Sequence, residues 1–284
     1  MSGHAPLRSV LFVPADRARA IEKAAGLGAD ALILDLEDAI APEAKSAARQ
    51  AARGALESWR GAGAVRAVRI NALGTDGFEA DAAACADIAP DAVVIPKVEG
   101  AAGLMAAREA LDEGGYRGPV WAMIETPLAV LRLAEIAAAA EDARLQALIA
   151  GTNDLSALLR LPPEGARAAM APHLAAIVLA ARACGAAALD GVFNAHTDAD
   201  GFAAEARAGR AMGFDGKTLI HPSQVGPANA AFAPTEAELD WARAVQAAFA
   251  DPANAGKGAI PVRGEMAERL HLDRARAMLK AAQS

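Results

Sequence analysis

The sequence predicts an α/β fold, a single (β/α)₈ TIM barrel with a C-terminal helical arm or lid, and three observations carry that prediction. Short runs rich in Val, Ile and Leu alternate with longer Ala-rich stretches along most of the 284 residues. Each run is nearly continuously apolar, the pattern of a strand buried on both faces of a parallel sheet. Eight such runs in regular alternation with helical segments mark a closed barrel. A doubly wound open sheet is the runner-up. It has fewer strands and a glycine-rich first turn, where this chain reads VPADRAR.

The predicted strands are VLFVP (10–14), ALILDLED (31–38), AVRIN (67–71), AVVIPKV (92–98), VWAMIET (120–126), LQALIAG (145–151), AALDGV (187–192) and KTLIHP (217–222). Between them, residues 16–28, 43–60, 76–86, 100–113, 127–140, 166–184 and 198–212 repeat apolar residues at i, i+3 and i+4, with charges on the outer positions. The barrel is assigned to residues 1–232. Residues 233–284 read differently: a helix over 235–249 that closes the ring, the Gly- and Pro-rich stretch DPANAGKGAIPVRGE, and a last helix over 266–281. A long irregular tail ending in a helix is an arm or lid, packing on its own barrel or on a neighbour.

Composition narrows the class. Hydrophobic residues are 54% of the chain and aromatics only 4%, so a large core is built from Ala, Leu, Val and Ile. A net charge of −7 argues against a nucleic-acid partner, which needs a basic face. Cys85 and Cys184 form no C-x-x-C pair and read as buried thiols of a reducing compartment. The N-terminal MSGHAPLR lacks the apolar core of a signal peptide, and no apolar run is long enough to span a bilayer. The expectation is a soluble cytoplasmic protein with no membrane partner.

In this fold the site lies at the C-terminal ends of the strands. There the chain places Asp35, Glu37 and Asp38; Arg69 and Asn71; Lys97 and Glu99; Glu125 and Thr126; Thr152, Asn153 and Asp154; Asp190; and Lys217 and His221. Any one of these serves equally well in a structural salt bridge. As a set, carboxylates outnumber cations, and Glu37, Asp38, Glu125 and Asp154 converging on one rim repel unless a cation is bound. Glu125 and Asp154, on adjacent strand ends, suit Mg²⁺, which takes one or two carboxylates and keeps positions for water and substrate. Mn²⁺ is an alternative. The scattered histidines lack zinc spacing, and no G-x-S-x-G elbow is present. His173 and His196 read as ordinary helix or loop residues; for His221 site and structure weigh about equally. Lys97 and Lys217 could form Schiff bases, but so many neighbouring carboxylates favour ion-pairing lysines. Arg17 and Lys23 lie six apart on the predicted first helix, nearly two turns, and can address one extended polyanion. Taken alone, they read as a solvated helix face.

RSVLFVPADR, DLEDAI, RIN, PKVE, MIET, GTNDL, DGV and GFDGKTLIHPSQV occur in that order. Over residues 8 to about 280 the chain thereby resembles the citrate lyase beta-subunit-like group of the HpcH/HpaI aldolase superfamily, which includes malyl-CoA, citramalyl-CoA and β-methylmalyl-CoA lyases. The resemblance implies Mg²⁺ ligands at Glu125 and Asp154, and an arginine at Arg69 that meets the reacting carbonyl and carboxylate end of the substrate. It implies coenzyme A contacts at Phe12, Arg17 and Lys23, and substrate contacts at the Asn153 backbone and at Ile220 and His221. Glu37 and Asp38 are then groups that order Arg69 and metal-bound water. Two departures stand out: Val13-Pro14-Ala15 replaces VPG, and Glu268 occupies the position of a catalytic Asp that the family's C-terminal arm supplies to a neighbouring subunit. The implied activity is reversible C–C cleavage of a 3-hydroxyacyl-CoA carboxylate to acetyl- or propionyl-CoA and a 2-oxo acid. Arg69 then stabilises developing charge and Glu268 protonates the enolate carbon. The alternatives are a malyl-CoA thioesterase, a CoA-independent aldolase of 2-oxo acids, and a non-autonomous citrate lyase beta subunit acting with an acyl-carrier partner. Arm exchange implies a homo-oligomer, a trimer or hexamer.

Overall fold

The eight apolar runs form strands β1 (Ser9–Pro14), β2 (Ala31–Asp35), β3 (Val65–Arg69), β4 (Ala92–Ile95), β5 (Val120–Ile124), β6 (Leu145–Ala150), β7 (Ala187–Asp190) and β8 (Gly216–Leu219) in the computed structural model, which describes residues 6–38 and 40–282. Each pairs in parallel with the next, and β1 pairs with β8 to close the barrel. The predicted α/β barrel is the observed fold.

Side-chain alternation along each strand divides two cores. Val10, Ile33, Ala67, Val94, Trp121, Ile149 and Leu189 fill the barrel interior. Trp121 is its largest member; its indole N–H donates to Gln146 Oε1 at 2.9 Å. The small neighbours Ala31, Ala92 and Ala147 belong to the same core and balance that bulk. The opposite strand faces present Leu32, Leu34, Val68, Val93, Ile124 and Leu148 to the surrounding helices.

Those helices are α1 (Ala18–Ala24), α2 (Lys45–Ser58), α3 (Phe78–Ile88), α4 (Ala101–Glu113), α5 (Pro127–Leu131), α6 (Leu133–Ala138), α7 (Ala140–Ala143), α8 (Thr152–Leu158), α9 (Ala166–Cys184), α10 (Ala199–Met212) and α11 (Val225–Phe232). The expected first helix, 16–28, is thus only the two turns of α1, with Arg17 at its N-cap rather than inside it. The expected helix 127–140 is broken at Arg132 and Ala139 into α5, α6 and α7. α8 and α11 lie in stretches to which the sequence pattern assigned no element. Pro227 sits in the first turn of α11, where its missing N–H costs no helical hydrogen bond. α11 packs on both β1 and β8.

The chain divides into two compact units after Phe232. The second contains α12 (Glu236–Ala250), an antiparallel hairpin of β9 (Ala259–Val262) and β10 (Glu265–Glu268), and α13 (Arg269–Ala281). The stretch expected to be irregular therefore forms strands. Arg263 and Gly264, at φ 51° and 87°, make the two-residue turn; left-handed conformation at both positions suits the twist of a hairpin. Ala242, Val245, Ile260, Val262, Ala267, Leu272 and Ala275 form this unit's own core. The last helix begins at Arg269 rather than at 266, because Glu265–Glu268 is drawn into the hairpin ladder.

The barrel seam gives a test. A Cβ on Gly216 would lie 1.7 Å from the Leu7 carbonyl oxygen, whereas one on Gly54, exposed in mid-α2, would meet nothing within 4 Å. Gly216→Ala is expected to destabilise the protein by about 3 kcal/mol and Gly54→Ala to stabilise it by about 0.5–1 kcal/mol. Urea denaturation of both variants against the parent measures the contrast.

Candidate active site

A cavity of 340 Å³ opens at the C-terminal mouth of the barrel, lined by Phe12, Asp35, Asp38, Arg69, Met123 and Glu125, with Asn153, Asp154, Val192, Thr218 and Ile220 completing its wall. Its floor is set by strand register. Asp35 on β2 and Arg69 on β3 are direct partners across the ladder. The guanidinium grips the carboxylate with two bonds, Nε to Oδ1 at 2.8 Å and Nη2 to Oδ2 at 2.7 Å. Both residues are buried. The remaining nitrogen, Nη1, lies 3.0 Å from Glu37 Oε2 and 3.5 Å from Asp38 Oδ2. The guanidinium carbon also sits 4.9 Å from the centre of the Phe12 ring, a cation–π contact. Burial opposes charge on Arg69, but Asp35, Glu37 and Asp38 outweigh it and hold its pKa above the ordinary value.

Glu125 follows β5 and is 1% exposed. Its Oε1 accepts the Lys97 backbone N–H at 2.7 Å. Burial, with Asp154 and Glu37 nearby, pushes its carboxyl up to about 7. Gly151 lets the β6–α8 connection pass directly over it: a Cβ there would stand 2.2 Å from Glu125 Cβ. That close approach brings Asp154, in the first turn of α8, to the cavity wall. Among the described residues, nothing hydrogen-bonds or ion-pairs with the Asp154 side chain. Five carboxylates, those of Asp35, Glu37, Asp38, Glu125 and Asp154, thus face two cations, Arg69 and Lys97. An excess of hard oxygen ligands beside a carboxyl driven toward its neutral form fits a divalent cation. Among the described residues no group of three or more Asp, Glu, His or Cys forms a metal cluster. Glu125 and Asp154 would therefore leave most of a six-coordinate Mg²⁺ to water and substrate.

Other expected residues fall in different places. Phe12, Asp38, Arg69, Glu125, Asn153, Asp154 and Ile220 line the cavity; Glu37 stands behind Arg69; Arg17 and Lys23 are exposed at α1, outside it. The Asn153 side chain exchanges hydrogen bonds with Asn194, 2.7 and 3.3 Å long, tying the loops after β6 and β7. His221 caps the turn at 222–224 through Nδ1 and stacks on His196 at 4.4 Å. Glu268 belongs to the second unit, where its backbone N–H donates to His271 Nδ1 at 2.9 Å. Thr126 caps α5. Asn71 turns away from the cavity to Asp81 and the Leu36 carbonyl. Lys217 is fully buried among Asp190, Glu205 and the Gly191 carbonyl. Lys97 pairs with Glu37 at 2.7 Å. Both lysines thus make the ion pairs expected of them.

From sequence Asp35 and Lys97 were placed at the rim, but Asp35 was given no role and Lys97 only that of an ion-pairing lysine. Two-residue alternation exposes Asp35: Ile33 points into the barrel, so Asp35 does too, just as Ala67 and Arg69 share the inner face of β3.

The chain belongs to the HpcH/HpaI aldolase/citrate lyase family, whose model matches residues 8–222. It is 43% identical over 281 residues to a (3S)-malyl-CoA thioesterase of Cereibacter sphaeroides, covering 98% of this chain and 95% of that protein. It is 38% identical to a citrate lyase subunit beta-like protein of Deinococcus radiodurans, covering 96% of each. Among solved structures it resembles CitE of Mycobacterium tuberculosis in complex with magnesium, acetoacetate and coenzyme A, with a TM-score of 0.78, 35% identity and 99% of each chain covered.

The raised Glu125 pKa has a measurable consequence. Between its ordinary value of 4.5 and about 7, the folded chain holds a proton that the unfolded chain has lost. The resulting stability is fully present below pH 4.5 and is lost as pH rises through about 7. In EDTA, the stability of the parent relative to Glu125→Gln is expected to fall by about 3 kcal/mol across that window. Parallel curves for the two proteins would contradict the shift.

Proposed function

We propose that the chain is a Mg²⁺-dependent enzyme acting on the CoA thioester of a small 3-hydroxy acid with a free carboxylate on the carbinol carbon, the malyl-CoA class, and that it hydrolyses the thioester. The observation that carries the substrate class is the pairing, in one cavity, of an unneutralised carboxylate pair with a locked guanidinium. The hydrolytic outcome rests on the likeness to the thioesterase of Cereibacter sphaeroides.

Glu125 and Asp154 are the proposed metal ligands. A divalent cation there supplies Lewis-acid polarisation and a counter-charge for the substrate carboxylate; Mn²⁺ meets the same oxygen preference. Arg69, immobilised by Asp35, faces the reacting carbonyl and stabilises the negative charge that develops on its oxygen. Because its partners are already in place, the guanidinium costs little reorganisation as the charge forms. Glu37 and Asp38 make ion-pair contacts with its third nitrogen, whose hydrogen bond goes to Met123 Sδ. Phe12, Met123, Val192 and Ile220 give the cavity apolar walls. The backbone of Asn153 and the Ile220–His221 segment border the substrate at the mouth. Arg17 and Lys23, exposed at the first βα turn, meet the phosphates of coenzyme A. Residues 233–284 act as an arm on a neighbouring subunit of a homotrimer or hexamer, bringing Glu268 to that subunit's site as the proton carrier.

The second reading is the C–C lyase. The likeness to the citrate lyase beta-like protein of Deinococcus radiodurans favours it, as does a carboxylate at position 268 able to protonate an enolate carbon. The products separate the two. With Mg²⁺ and malyl-CoA, malate with free CoA is the expected result, whereas glyoxylate with acetyl-CoA establishes the lyase; citramalyl-CoA in parallel tests the carbinol substituent. Glu125→Ala and Asp154→Ala are expected to abolish turnover, and Arg69→Ala to lower kcat by about 10²–10³-fold. Undiminished turnover in EDTA would sink the metal assignment.

A further inference from the structure

Lys97 follows β4 and Pro96, and its backbone is left-handed, with φ 52°. That conformation is disfavoured for any residue with a Cβ, and it persists where the surroundings over-determine it. Two contacts do so here. The Lys97 N–H donates to Glu125 Oε1 at 2.7 Å. The ammonium donates to Glu37 Oε1 at 2.7 Å and stands 3.8 Å from Asp38. The other oxygen of Glu37 lies 3.0 Å from Arg69 Nη1. With the amide fixed on Glu125, φ alone decides to which side the side chain departs, and the left-handed value carries it to Glu37. One residue therefore touches both halves of the site.

We propose that Lys97 is a positioning residue that sets Glu125 and Arg69 relative to each other, its amide orienting the carboxylate and its ammonium holding Glu37 against the guanidinium. The inference rests on the reading of Glu125 as a cation ligand. It has a signature that general loosening of the site lacks. The ammonium repels a cation bound nearby, so removing it leaves divalent-cation affinity intact or tighter. The same change frees Glu37 and with it the Nη1 end of Arg69, the end that Asp35 does not grip, so the chemical step slows.

The experiment compares Mn²⁺ affinity, titrated by electron paramagnetic resonance, with kcat and KM on whichever CoA ester the wild type turns over. Lys97→Met removes the charge and keeps most of the stem. Lys97→Gly keeps the amide and relieves the left-handed strain, and Lys97→Arg restores the charge. The Met and Gly variants are expected to bind Mn²⁺ within about threefold of wild type or tighter, with kcat down about tenfold or more and KM changed by less than about threefold. Lys97→Arg is expected to recover much of kcat. The proposal is overturned if kcat in the Met and Gly variants stays within about twofold of wild type, or if Mn²⁺ affinity and kcat fall together in both. A wild-type chain that binds no Mn²⁺ overturns the cation reading itself, a result visible before any variant is made.

Discussion

Asp35 and Arg69 occupy opposed positions on β2 and β3, so barrel register alone sets them side by side. Their two-pronged contact is charge-assisted and buried, and removing one partner would strand the other charge at a cost of about 3–5 kcal/mol. Much of the mouth depends on this pair. It consumes two nitrogens of the guanidinium and leaves Nη1 for a hydrogen bond to Met123 Sδ and ion-pair contacts with Glu37 and Asp38. It also holds the cation over the Phe12 ring. A flexible lysine at position 69 would carry the same charge without the planar fork that fixes these directions.

A second buried ion network, on the outward face of β7 and β8, shows what sets the first apart. Arg167 grips Asp190 with bonds of 2.7 and 2.8 Å, and Lys217 joins Asp190 to Glu205. Burial opposes charge on Asp190, but Lys217 and Arg167 hold its carboxyl below the ordinary range. Two acids meet two bases there, and the cluster is closed as it stands. At the mouth, five acids meet two bases and the Glu125 carboxyl is driven upward. Buried charge alone distinguishes neither strut from site. The sign of the imbalance does, because an excess of carboxylate is an unfinished structure that a cation completes.

Much of this was legible in the residues. Every barrel strand lies where an apolar run predicted it, because two-sided burial imposes a composition that survives in sequence. The strand ends were read too long: 31–38 shrinks to Ala31–Asp35, since the shift to polar residues does not say where the ladder stops. Glu37 and Asp38 therefore sit beyond the strand, while Asp35, its last residue, is the one aimed inward. The breaks at Arg132 and Ala139 have no Gly or Pro to announce them, and α8 and α11 were hidden by the Gly, Asn and Pro at their starts. Arg69, Glu125 and Asp154 line one cavity because those side chains leave strand ends or the first turn of α8 at the expected rim. The reach of Lys97 was not legible, because a left-handed lysine has no compositional mark.

The two glycines at the mouth bear on how such a protein can change. A Cβ on Gly151 would overlap Glu125, and one on Gly191 would stand 2.3 Å from Thr152 Oγ1. Neither position can acquire a side chain without displacing the α8 loop that carries Asp154. A side chain at either glycine is therefore expected to be felt at Glu125 and Asp154 rather than at the apolar wall of Met123, Val192 and Ile220.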